Sequence, residues 1–278
     1  MRVMILGDSG LLGQALMREW SGDEVLGLNS RDADIRDKDR VRETVEKIQP
    51  EWIILAAAYT NVDGCENNPE LTFTVNRDGA AYVAEAARRT GAKLLFISSD
   101  YVFDGKKNSP YEIDDKRNPL SVYGRSKAEA EMRLLDLLPD CCIVRTSWLF
   151  GTGGKCFPDT ILKLASSRPA LDIVDDQRGC PTYSIDFARA IVQLCHKDAT
   201  GIVHATNSGN CTWFEFAREI VKQAGLPTEV RPLTTQQMPR PAQRPAYSVL
   251  SSASLDRLGI AMPSWQDAVS RYLQERKL

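Results

Sequence analysis

The first half of the chain alternates short apolar runs with longer stretches in which apolar residues recur at helical spacing. Strands are predicted at Arg2–Leu6, Glu24–Leu28, Trp52–Ala57, Lys93–Ser98 and Cys141–Ser147. Helices are predicted around Leu11–Trp20, Lys38–Ile48, Pro69–Thr90 and Val122–Leu138. Nearly continuous apolar strands that alternate with helices are typical of a parallel sheet covered on both faces. The pattern therefore predicts an α/β fold with a doubly wound parallel sheet.

The pattern becomes less regular after about Gly151, where loops rich in glycine, proline and polar residues separate the apolar stretches. Helices are predicted near Ile185–His196 and Phe214–Ala224, and Arg271–Leu278 has the character of an amphipathic helix end. We therefore predict a main domain over residues 1–150. A small lobe that closes over a substrate, interleaved with the last sheet elements, is predicted over residues 151–278.

Composition and charge narrow the class of protein. The 278 residues carry 35 Lys and Arg against 37 Asp and Glu, a formal net charge of −2. No basic surface for nucleic acid is therefore predicted. The longest apolar runs are too short to span a bilayer, and the chain enters a strand at Arg2 without the layout of a signal peptide. These features predict a cytoplasmic protein that binds neither nucleic acid nor membrane.

Seven cysteines and two histidines, His196 and His204, limit the chemistry further. No Cys-x-x-Cys pair occurs, and the adjacent Cys141 and Cys142 open an apolar strand. The cysteines are therefore predicted to be reduced thiols. With so few histidines, neither a zinc site nor a Ser-His-Asp triad is expected, and no metal ligands are predicted.

A glycine-rich turn lies between the first predicted strand and the first predicted helix. Its sequence is Gly7-Asp8-Ser9-Gly10-Leu11-Leu12-Gly13. Gly7 allows a tight turn, Gly10 lets backbone N–H groups approach a phosphate, and Gly13 lets the helix pack closely on the sheet. The helix N-terminus adds the positive end of its dipole. The turn predicts a site for a dinucleotide pyrophosphate, and residues 1–150 are predicted to be a dinucleotide-binding domain of the Rossmann type.

The end of the second predicted strand bears on the choice of cofactor. A fold specific for NAD usually carries Asp or Glu there to hold the ribose 2′-hydroxyl, whereas this chain has Asn29-Ser30-Arg31. No carboxylate at the strand end repels a 2′-phosphate, and Arg31 is suited to pair with one. NADPH is therefore predicted, with NADH open as a second cofactor. The alternative for Arg31 is a solvated loop charge.

Tyr123 and Lys127 are four residues apart on a predicted helix and therefore share one face. A free phenol has a pKa of about 10, and a neighbouring ammonium group is expected to lower the pKa of Tyr123. The segment 97–103 places the hydroxyls of Ser98 and Ser99 at a strand end, where a serine can hydrogen-bond a substrate carbonyl. With the glycine turn, these residues predict hydride transfer at a carbon that bears oxygen, with Tyr123 as the acid.

This constellation resembles the extended branch of the short-chain dehydrogenase/reductase superfamily. Five segments extend the resemblance over almost the whole chain: Ala56–Asp63, Ser98–Phe103, Arg145–Phe150, Asp176–Thr182 and Arg244–Ser248. In this order they are similar to those of the dTDP-4-dehydrorhamnose reductase family. The resemblance implies an oxidoreductase of dTDP-rhamnose biosynthesis, which takes a nucleotide-sugar substrate. Its implied reaction is the NADPH-dependent reduction of the C4 ketone of dTDP-4-dehydro-L-rhamnose.

The resemblance also implies roles for individual residues. Tyr123 becomes the proton donor to the sugar ketone, Lys127 lowers the pKa of Tyr123 and binds the nicotinamide ribose, and Ser99 takes the place of the family's usual threonine. With the glycine turn and Arg31 included, the cofactor site comprises Gly7, Ser9, Gly10, Leu11, Leu12, Gly13, Arg31, Asp34, Ile35, Ala56, Ala57, Ala58, Tyr59, Ser98, Tyr123 and Lys127. The implied substrate site comprises Thr60, Val62, Asp100, Tyr101, Trp148, Thr182 and Arg244.

Two other functions stay open on the sequence. Regulatory NADP-binding subunits of methionine adenosyltransferase look like these reductases, although they often lose the Tyr–Lys pair that this chain keeps. A nucleotide-sugar epimerase or dehydratase is the other alternative. The family's dehydratases carry an acidic residue directly after the strand-end aspartate, whereas this chain has Tyr101. Cys65, Cys180 and Tyr183 depart from residues that are frequent in the family, so an altered sugar pocket is an expectation.

Several side chains have two interpretations. Trp148 either stacks on the sugar or packs in the protein, whereas the aromatic residues 213, 214 and 216 are predicted to pack in the core. Arg240 and Arg244, on a proline-rich loop, either clamp a diphosphate or are solvated. The chain is expected to be a monomer or a homodimer.

Overall fold

A computed structural model describes residues 1–276 of the chain. Its strands are β1 (Arg2–Leu6), β2 (Glu24–Leu28), β3 (Trp52–Leu55), β4 (Lys93–Ser99), β5 (Cys142–Thr146), β6 (Leu149–Phe150), β7 (Ala170–Val174), β8 (Arg178–Gly179), β9 (Thr182–Tyr183), β10 (Gly201–His204), β11 (Cys211–Thr212) and β12 (Glu229–Leu233). Its α-helices are α1 (Leu11–Glu19), α2 (Lys38–Ile48), α3 (Val62–Asn67), α4 (Pro69–Phe73), α5 (Gly79–Thr90), α6 (Val122–Leu137), α7 (Phe157–Ala165), α8 (Ser184–His196), α9 (Trp213–Gln223), α10 (Ala253–Asp256) and α11 (Trp265–Glu275).

The main sheet has six strands in the order β10-β5-β4-β3-β1-β2, and every neighbouring pair is parallel. The chain leaves β1 for β2 on one side and then returns to β3 on the other side. In sheets of this kind, ligands bind beyond the carboxyl ends of the strands at such a change of direction. The predicted doubly wound parallel sheet is confirmed.

The two faces of the sheet bury different sets of side chains, because successive residues of a strand point in opposite directions. On β1, Val3 and Ile5 join the core formed with α1 and α8, whereas Met4 and Leu6 join the core formed with α2 and α5. These four of the five β1 side chains are buried. This burial on both faces explains why the strands appear in the sequence as nearly continuous apolar runs.

The helix predicted over Pro69–Thr90 is interrupted by a π-helical turn at Thr74–Asp78. The turn carries Asn76, whose amide accepts from Tyr59 N at 2.8 Å and donates to Tyr59 O and Ser126 Oγ, each at 3.0 Å. One irregular turn thus joins the loop after β3 to helix α6. Helical periodicity does not reveal such a turn, because α4 and α5 continue the apolar pattern on either side.

Strand ends also differ slightly from the predictions. β3 ends at Leu55, not Ala57, because the N–H groups of Ala56 and Ala57 both donate to Leu6 O and so leave the regular ladder. β5 covers Cys142–Thr146, not Cys141–Ser147. The early end of β3 brings Ala57 against the turn that follows β1, which shapes the site described below.

The chain after residue 150 contributes to both parts of the molecule. β10 is an edge strand of the main sheet and α8 packs on α1, whereas β7 with β12 and β8 with β11 form separate two-stranded sheets. The division at residue 150 stays a prediction. The C-terminal helix α11 ends at Glu275, and residues 277 and 278 of the predicted segment Arg271–Leu278 lie outside the described residues.

Within residues 1–276, no helix combines the length and the apolar character that crossing a bilayer requires. The seven cysteines are free thiols, as predicted, and all are buried.

Candidate active site

The turn after β1 brings the backbones of three segments close together. Gly7 has a φ of +97°, and its N–H donates to Leu28 O at 2.7 Å. A Cβ atom on Gly7 would lie 2.6 Å from Ala57 N, and one on Gly13 would lie 2.1 Å from Gly7 O. Both positions therefore require glycine. The turn leads into α1 at Gly10, so the first N–H groups of the helix face the edge where a pyrophosphate would bind.

A second set of contacts joins this turn to the later part of the chain. Ser9 and Gly10 are exposed, whereas the Leu12 side chain is buried in the core, so Leu12 presents its backbone to the turn. Gln14 Nε2 donates to Ser9 O and to Gly153 O, each at 2.8 Å. Sequence reasoning missed Gln14, since an exposed glutamine on a helix carries no distinctive signal.

A cavity of about 280 Å³ opens at the carboxyl ends of β1, β2 and β3. Predicted cofactor residues line part of it: Gly7, Asp34, Ile35, Ala57, Ala58 and Tyr59. The other lining residues were missed: Asn29, Ser30, Ala33, Arg36, Leu71 and Val75. The apolar pair 71 and 75 comes from α4 and the π-helical turn, which fold across the sheet edge. Mostly uncharged walls of this kind suit the adenosine part of a dinucleotide.

The two arginines near this cavity are placed differently. Arg31 is exposed and does not line the cavity; its backbone N–H donates to Asn29 Oδ1 at 2.9 Å. Arg36 does line the cavity, and its guanidinium binds both carboxylate oxygens of Asp34, with Nη2 2.6 Å from Oδ2. The hydrogen bonds from Arg36 hold the pKa of Asp34 below its usual value. Asp34 therefore carries a charge that is already paired within the protein.

Helix α6 presents Tyr123 and Lys127 at the same sheet edge, near the ends of β4 and β5. Ser121 caps the helix by accepting from Gly124 N at 3.1 Å. A Cβ atom on Gly124 would lie 2.2 Å from Tyr101 O, so the glycine next to Tyr123 lets α6 approach the turn after β4. The rings of Tyr101 and Tyr123 meet edge to face, with centroids 6.0 Å apart.

The protonation of this pair differs from the prediction. Burial raises the pKa of Tyr123, the Ser99 hydroxyl opposes that rise, and the Asp100 carboxyl adds to it. Burial lowers the pKa of Lys127 to about 7, and Glu131 opposes that fall. The Lys127 ammonium lies 4.3 Å from the centroid of the Phe96 ring. The predicted lowering of the Tyr123 pKa is therefore wrong in direction, because burial is the largest influence on this phenol and raises its pKa.

The end of β4 supplies a hydroxyl and a carboxyl next to Tyr123. Ser99 Oγ accepts from Tyr101 N at 3.2 Å and donates to Asp100 Oδ1 at 3.0 Å. Asp100 is 2% exposed, and burial raises its pKa to about 7 against opposing hydrogen bonds from Ser248 and Ser99. The structure thus brings the predicted residues Ser99, Asp100, Tyr101 and Tyr123 together.

Ser98, predicted as a cofactor contact, directs its hydroxyl into a buried ion-pair network. Its hydroxyl donates to Glu131 Oε1 at 2.5 Å. Arg145 binds the same carboxylate with two hydrogen bonds of 2.9 and 2.7 Å, and Arg117 adds a third. Glu131 and Arg145 are both 0% exposed. The sequence signal for this network was weak, because Glu131 stands among several charged residues of an amphipathic helix.

The proline-rich loop around residue 240 closes on α3 through Asp63. Arg244 Nη2 donates to Asp63 Oδ2 at 3.1 Å, and Arg240 lies 3.9 Å from the same oxygen. The Arg244 guanidinium also lies next to Tyr101, where it opposes the rise in the pKa of that phenol caused by burial. Arg244 therefore lies beside Tyr101, and its charge is paired with a carboxylate. The other predicted residues of this region, Thr60 and Val62, are exposed and half-buried respectively.

Trp148 packs against the protein on one face. Its ring stacks on Trp213, with centroids 3.5 Å apart and an angle of 9° between the planes. A Cβ atom on Gly179 would lie 2.6 Å from the Trp148 ring. The backbone of Trp148 has a φ of +47°, which is uncommon for a bulky residue and is found more often at functional sites. Thr182 is fully buried next to this segment, and its N–H donates to Trp148 O at 3.2 Å.

The chain is similar to nucleotide-sugar reductases over its whole length. A family model described as the RmlD substrate binding domain matches residues 1–278. The spore coat polysaccharide biosynthesis protein SpsK of Bacillus subtilis is 40% identical over 277 residues, covering 99% of this chain and 98% of SpsK. A dTDP-4-dehydrorhamnose reductase of Aggregatibacter actinomycetemcomitans is also 40% identical, over 285 residues, covering 96% and 97% of the two chains. The crystal structure of dTDP-4-dehydrorhamnose reductase from Bacillus anthracis in complex with NADP superposes with a TM-score of 0.96 at 37% identity, covering 99% of each chain.

Proposed function

The chain belongs to the family of the RmlD substrate binding domain, and we propose that it reduces the C4 ketone of dTDP-4-dehydro-L-rhamnose with NADPH. The observation that carries the proposal is the meeting of Tyr123 and Ser99 at the sheet edge that also carries the glycine turn. A hydroxyl pair next to a dinucleotide site can receive a ketone oxygen while a hydride arrives at its carbon.

The residues present fit NADPH. Gly7 and Gly13 allow the tight turn that a pyrophosphate-binding loop needs, because a Cβ atom at either position would collide with the backbone of a neighbouring segment. The N-terminus of α1 favours negative charge there. NADPH supplies the hydride when bound, and Lys127, buried on α6 beside Tyr123, is placed to hold the nicotinamide ribose.

Tyr123 supplies the proton in this scheme. A phenol has a pKa of about 10 and burial raises that of Tyr123 further, so the phenol carries a proton at neutral pH that it can donate. The hydride adds to C4 of the sugar, the C=O π electrons pass to oxygen, and the phenolic proton moves to that oxygen, which gives the alcohol. Ser99 donates a hydrogen bond to the oxygen as its charge develops. Solvent then returns a proton to the tyrosinate.

The assay of this function follows the loss of NADPH absorbance with purified protein and enzymatically prepared dTDP-4-dehydro-L-rhamnose, with NADH in parallel. We expect oxidation that depends on the sugar and stops in Tyr123→Phe. Tight NADPH binding without oxidation of any 4-keto nucleotide sugar would contradict the proposal and favour a regulatory subunit. Conversion of the sugar without net oxidation of cofactor would indicate an epimerase or a dehydratase.

The preference between NADPH and NADH is expected to depend on Arg31. Its exposed guanidinium follows the end of β2, where a 2′-phosphate would lie. Loss of one phosphate–arginine contact corresponds to roughly tenfold in affinity. We therefore expect Arg31→Ala to weaken NADPH binding about tenfold and leave NADH binding within a factor of about two.

Arg36→Ala is the matched comparison for this prediction, because Arg36 lines the cavity but is paired with Asp34. Titration of both cofactors by isothermal calorimetry gives the ratio of dissociation constants for each variant. A preference that changes with Arg36→Ala and not with Arg31→Ala would assign the phosphate contact to Arg36 instead.

We further infer a cytoplasmic location, for which the free buried thiols are the support. A monomer or a homodimer is the expected assembly, and sedimentation equilibrium across a range of protein concentrations distinguishes the two. A concentration-independent larger oligomer would contradict both.

A further inference from the structure

Asp100 is a buried carboxyl next to Ser99 to which the reaction above gives no step. Its Oδ1 accepts from Ser99 Oγ at 3.0 Å. Its Oδ2 is buried and makes no hydrogen bond of good geometry within residues 1–276, although the Ser248 hydroxyl lies close enough to oppose part of the effect of burial. Ionised Asp100 would therefore place unpaired charge on a buried oxygen, which is costly. The geometry favours a carboxyl that holds its proton.

The hydroxyl of Ser99 has one hydrogen to donate and two lone pairs to offer. One lone pair accepts the N–H of Tyr101 at 3.2 Å. If the hydrogen goes to Asp100 Oδ1, none is left for a substrate ketone. If Asp100 instead carries a proton on Oδ1, it donates to Ser99 Oγ and occupies the second lone pair. The Ser99 hydrogen is then free to point at the ketone oxygen.

We propose that Asp100 acts as a neutral acid that positions the Ser99 hydroxyl, turning it towards the substrate ketone, and that ionisation of Asp100 turns the hydroxyl away. The proposal rests on the proposed reduction and adds a specific residue to it. Asp100 was also predicted to belong to the substrate site, but the effect proposed here reaches the ketone only through Ser99. It is a positioning residue that acts through a hydrogen bond to Ser99, and the chain of donors runs from Asp100 through Ser99 to the ketone.

The surroundings of Asp100 agree with a neutral carboxyl. The titratable groups that face it are Tyr101 on its own turn, Tyr123 on α6 and Cys180 after β8. Burial raises the pKa of all three, so they are neutral at pH 7 and none compensates a carboxylate. The cation Arg244 approaches Tyr101 but is paired with the carboxylate of α3. Burial also raises the pKa of Asp100 itself to about 7, so the ionisation of Asp100 falls within a pH range in which kcat can be measured.

The test compares Asp100→Asn with the wild-type protein across pH. An asparagine amide donates to Ser99 Oγ as the neutral acid does, but it cannot ionise. The ratio of kcat for Asp100→Asn to kcat for wild type is expected to rise at least about tenfold between about pH 5.5 and pH 8.5, because loss of one donor to a developing oxyanion costs about 10²–10³-fold. Titration of Lys127 and Tyr123 affects both proteins and largely cancels in this ratio.

Two comparisons separate positioning from a structural role. The same comparison is made in a protein that carries Ser99→Ala. There the ratio of kcat with Asp100→Asn to kcat without it is expected to stay constant across pH, because the residue through which Asp100 acts is gone. Asp104→Asn is the matched control. Asp104 accepts hydrogen bonds from Tyr111 and Asn118, and its pKa lies below its usual value. The ratio of kcat for Asp104→Asn to kcat for wild type is therefore also expected to stay constant across pH.

Infrared spectroscopy of the protein without substrate gives a readout that needs no activity and no stable variant. A protonated buried carboxyl that loses its C=O band between about pH 6 and pH 9 is expected, and the band is expected to be absent in Asp100→Asn. A flat kcat ratio in a protein that reduces the sugar would overturn the inference and leave the proposed function intact. A protein that does not reduce the sugar overturns the proposed function, and the infrared band then still decides whether Asp100 is neutral.

Discussion

Tyr123→Phe is expected to lower kcat for reduction of the keto sugar by about 10²–10⁴-fold, the range in which positioned proton donors contribute to catalysis. The phenol lies next to Ser99 and keeps its proton at neutral pH, since a phenol has a pKa of about 10 and burial raises that of Tyr123. Phenylalanine keeps the ring that meets Tyr101 edge to face, so the fold around the site is preserved. The dissociation constant for NADPH is expected to change by no more than about threefold, since one hydrogen bond contributes modestly to binding.

Steady-state kinetics at saturating NADPH, together with a direct binding titration, measure the two quantities separately. Tyr82→Phe on α5 is the matched control, because its ring packs under Lys38 and stands on a different helix from Tyr123. A Tyr123→Phe protein with near-full turnover would show that another group donates the proton. A large loss of NADPH affinity would assign Tyr123 a binding role instead.

Arg145→Met is expected to lower the free energy of unfolding by about 3–5 kcal/mol, the cost of leaving a buried charge without its partner. Arg145 and Glu131 are both 0% exposed and share two hydrogen bonds. Methionine keeps much of the volume of the side chain but cannot donate. In a domain of this size the change corresponds to a fall in Tm of roughly 10 °C, measured by circular dichroism.

Arg117→Met is the graded control for this prediction. Arg117 binds the same carboxylate, but its side chain is 24% exposed, so water can replace part of what is lost. We therefore expect a decrease in stability smaller than that of Arg145→Met, on the order of 1 kcal/mol. Equal effects of the two substitutions would show that burial does not set the strength of this network.

The effect of Arg145→Met is also expected to depend on pH in a defined direction. Burial raises the pKa of Glu131, but the hydrogen bonds and charges of Arg145 and Arg117 outweigh it and hold that pKa below its usual value. A carboxyl whose pKa is lower in the folded state stabilises the fold above its unfolded pKa of about 4.3, and this contribution disappears as the pH falls through the folded value. The difference in Tm between wild type and Arg145→Met should therefore be full at pH 7 and shrink below about pH 4.

Local patterns in the sequence were enough to predict the sheet and the glycine turn, and they nominated candidate residues for the site. A strand buried on both faces must be apolar at every position, and a tight turn against a neighbouring strand must be glycine, as at Gly7. The four-residue spacing of Tyr123 and Lys127 places them on one helix face whatever surrounds the helix. These features follow from short-range geometry, which the order of residues determines.

Tertiary structure decided the charges and partners of those residues. Arg145 meets Glu131 across two elements, and Asp63 meets Arg244 from the far end of the chain. No local pattern connects such residues, because their distance in space depends on how the elements pack.

The tertiary structure also decided the protonation of the site residues, because burial shifts their pKa values. A neighbouring lysine predicted a lowered pKa for Tyr123, but removal from water raises it. The sequence by itself therefore determined which groups could take part in the chemistry, since residue type and local spacing are encoded directly. The depth of burial and the long-range pairs, which exist only once the chain has folded, decided which of those groups carry a proton, which are paired within the protein, and which are free to act.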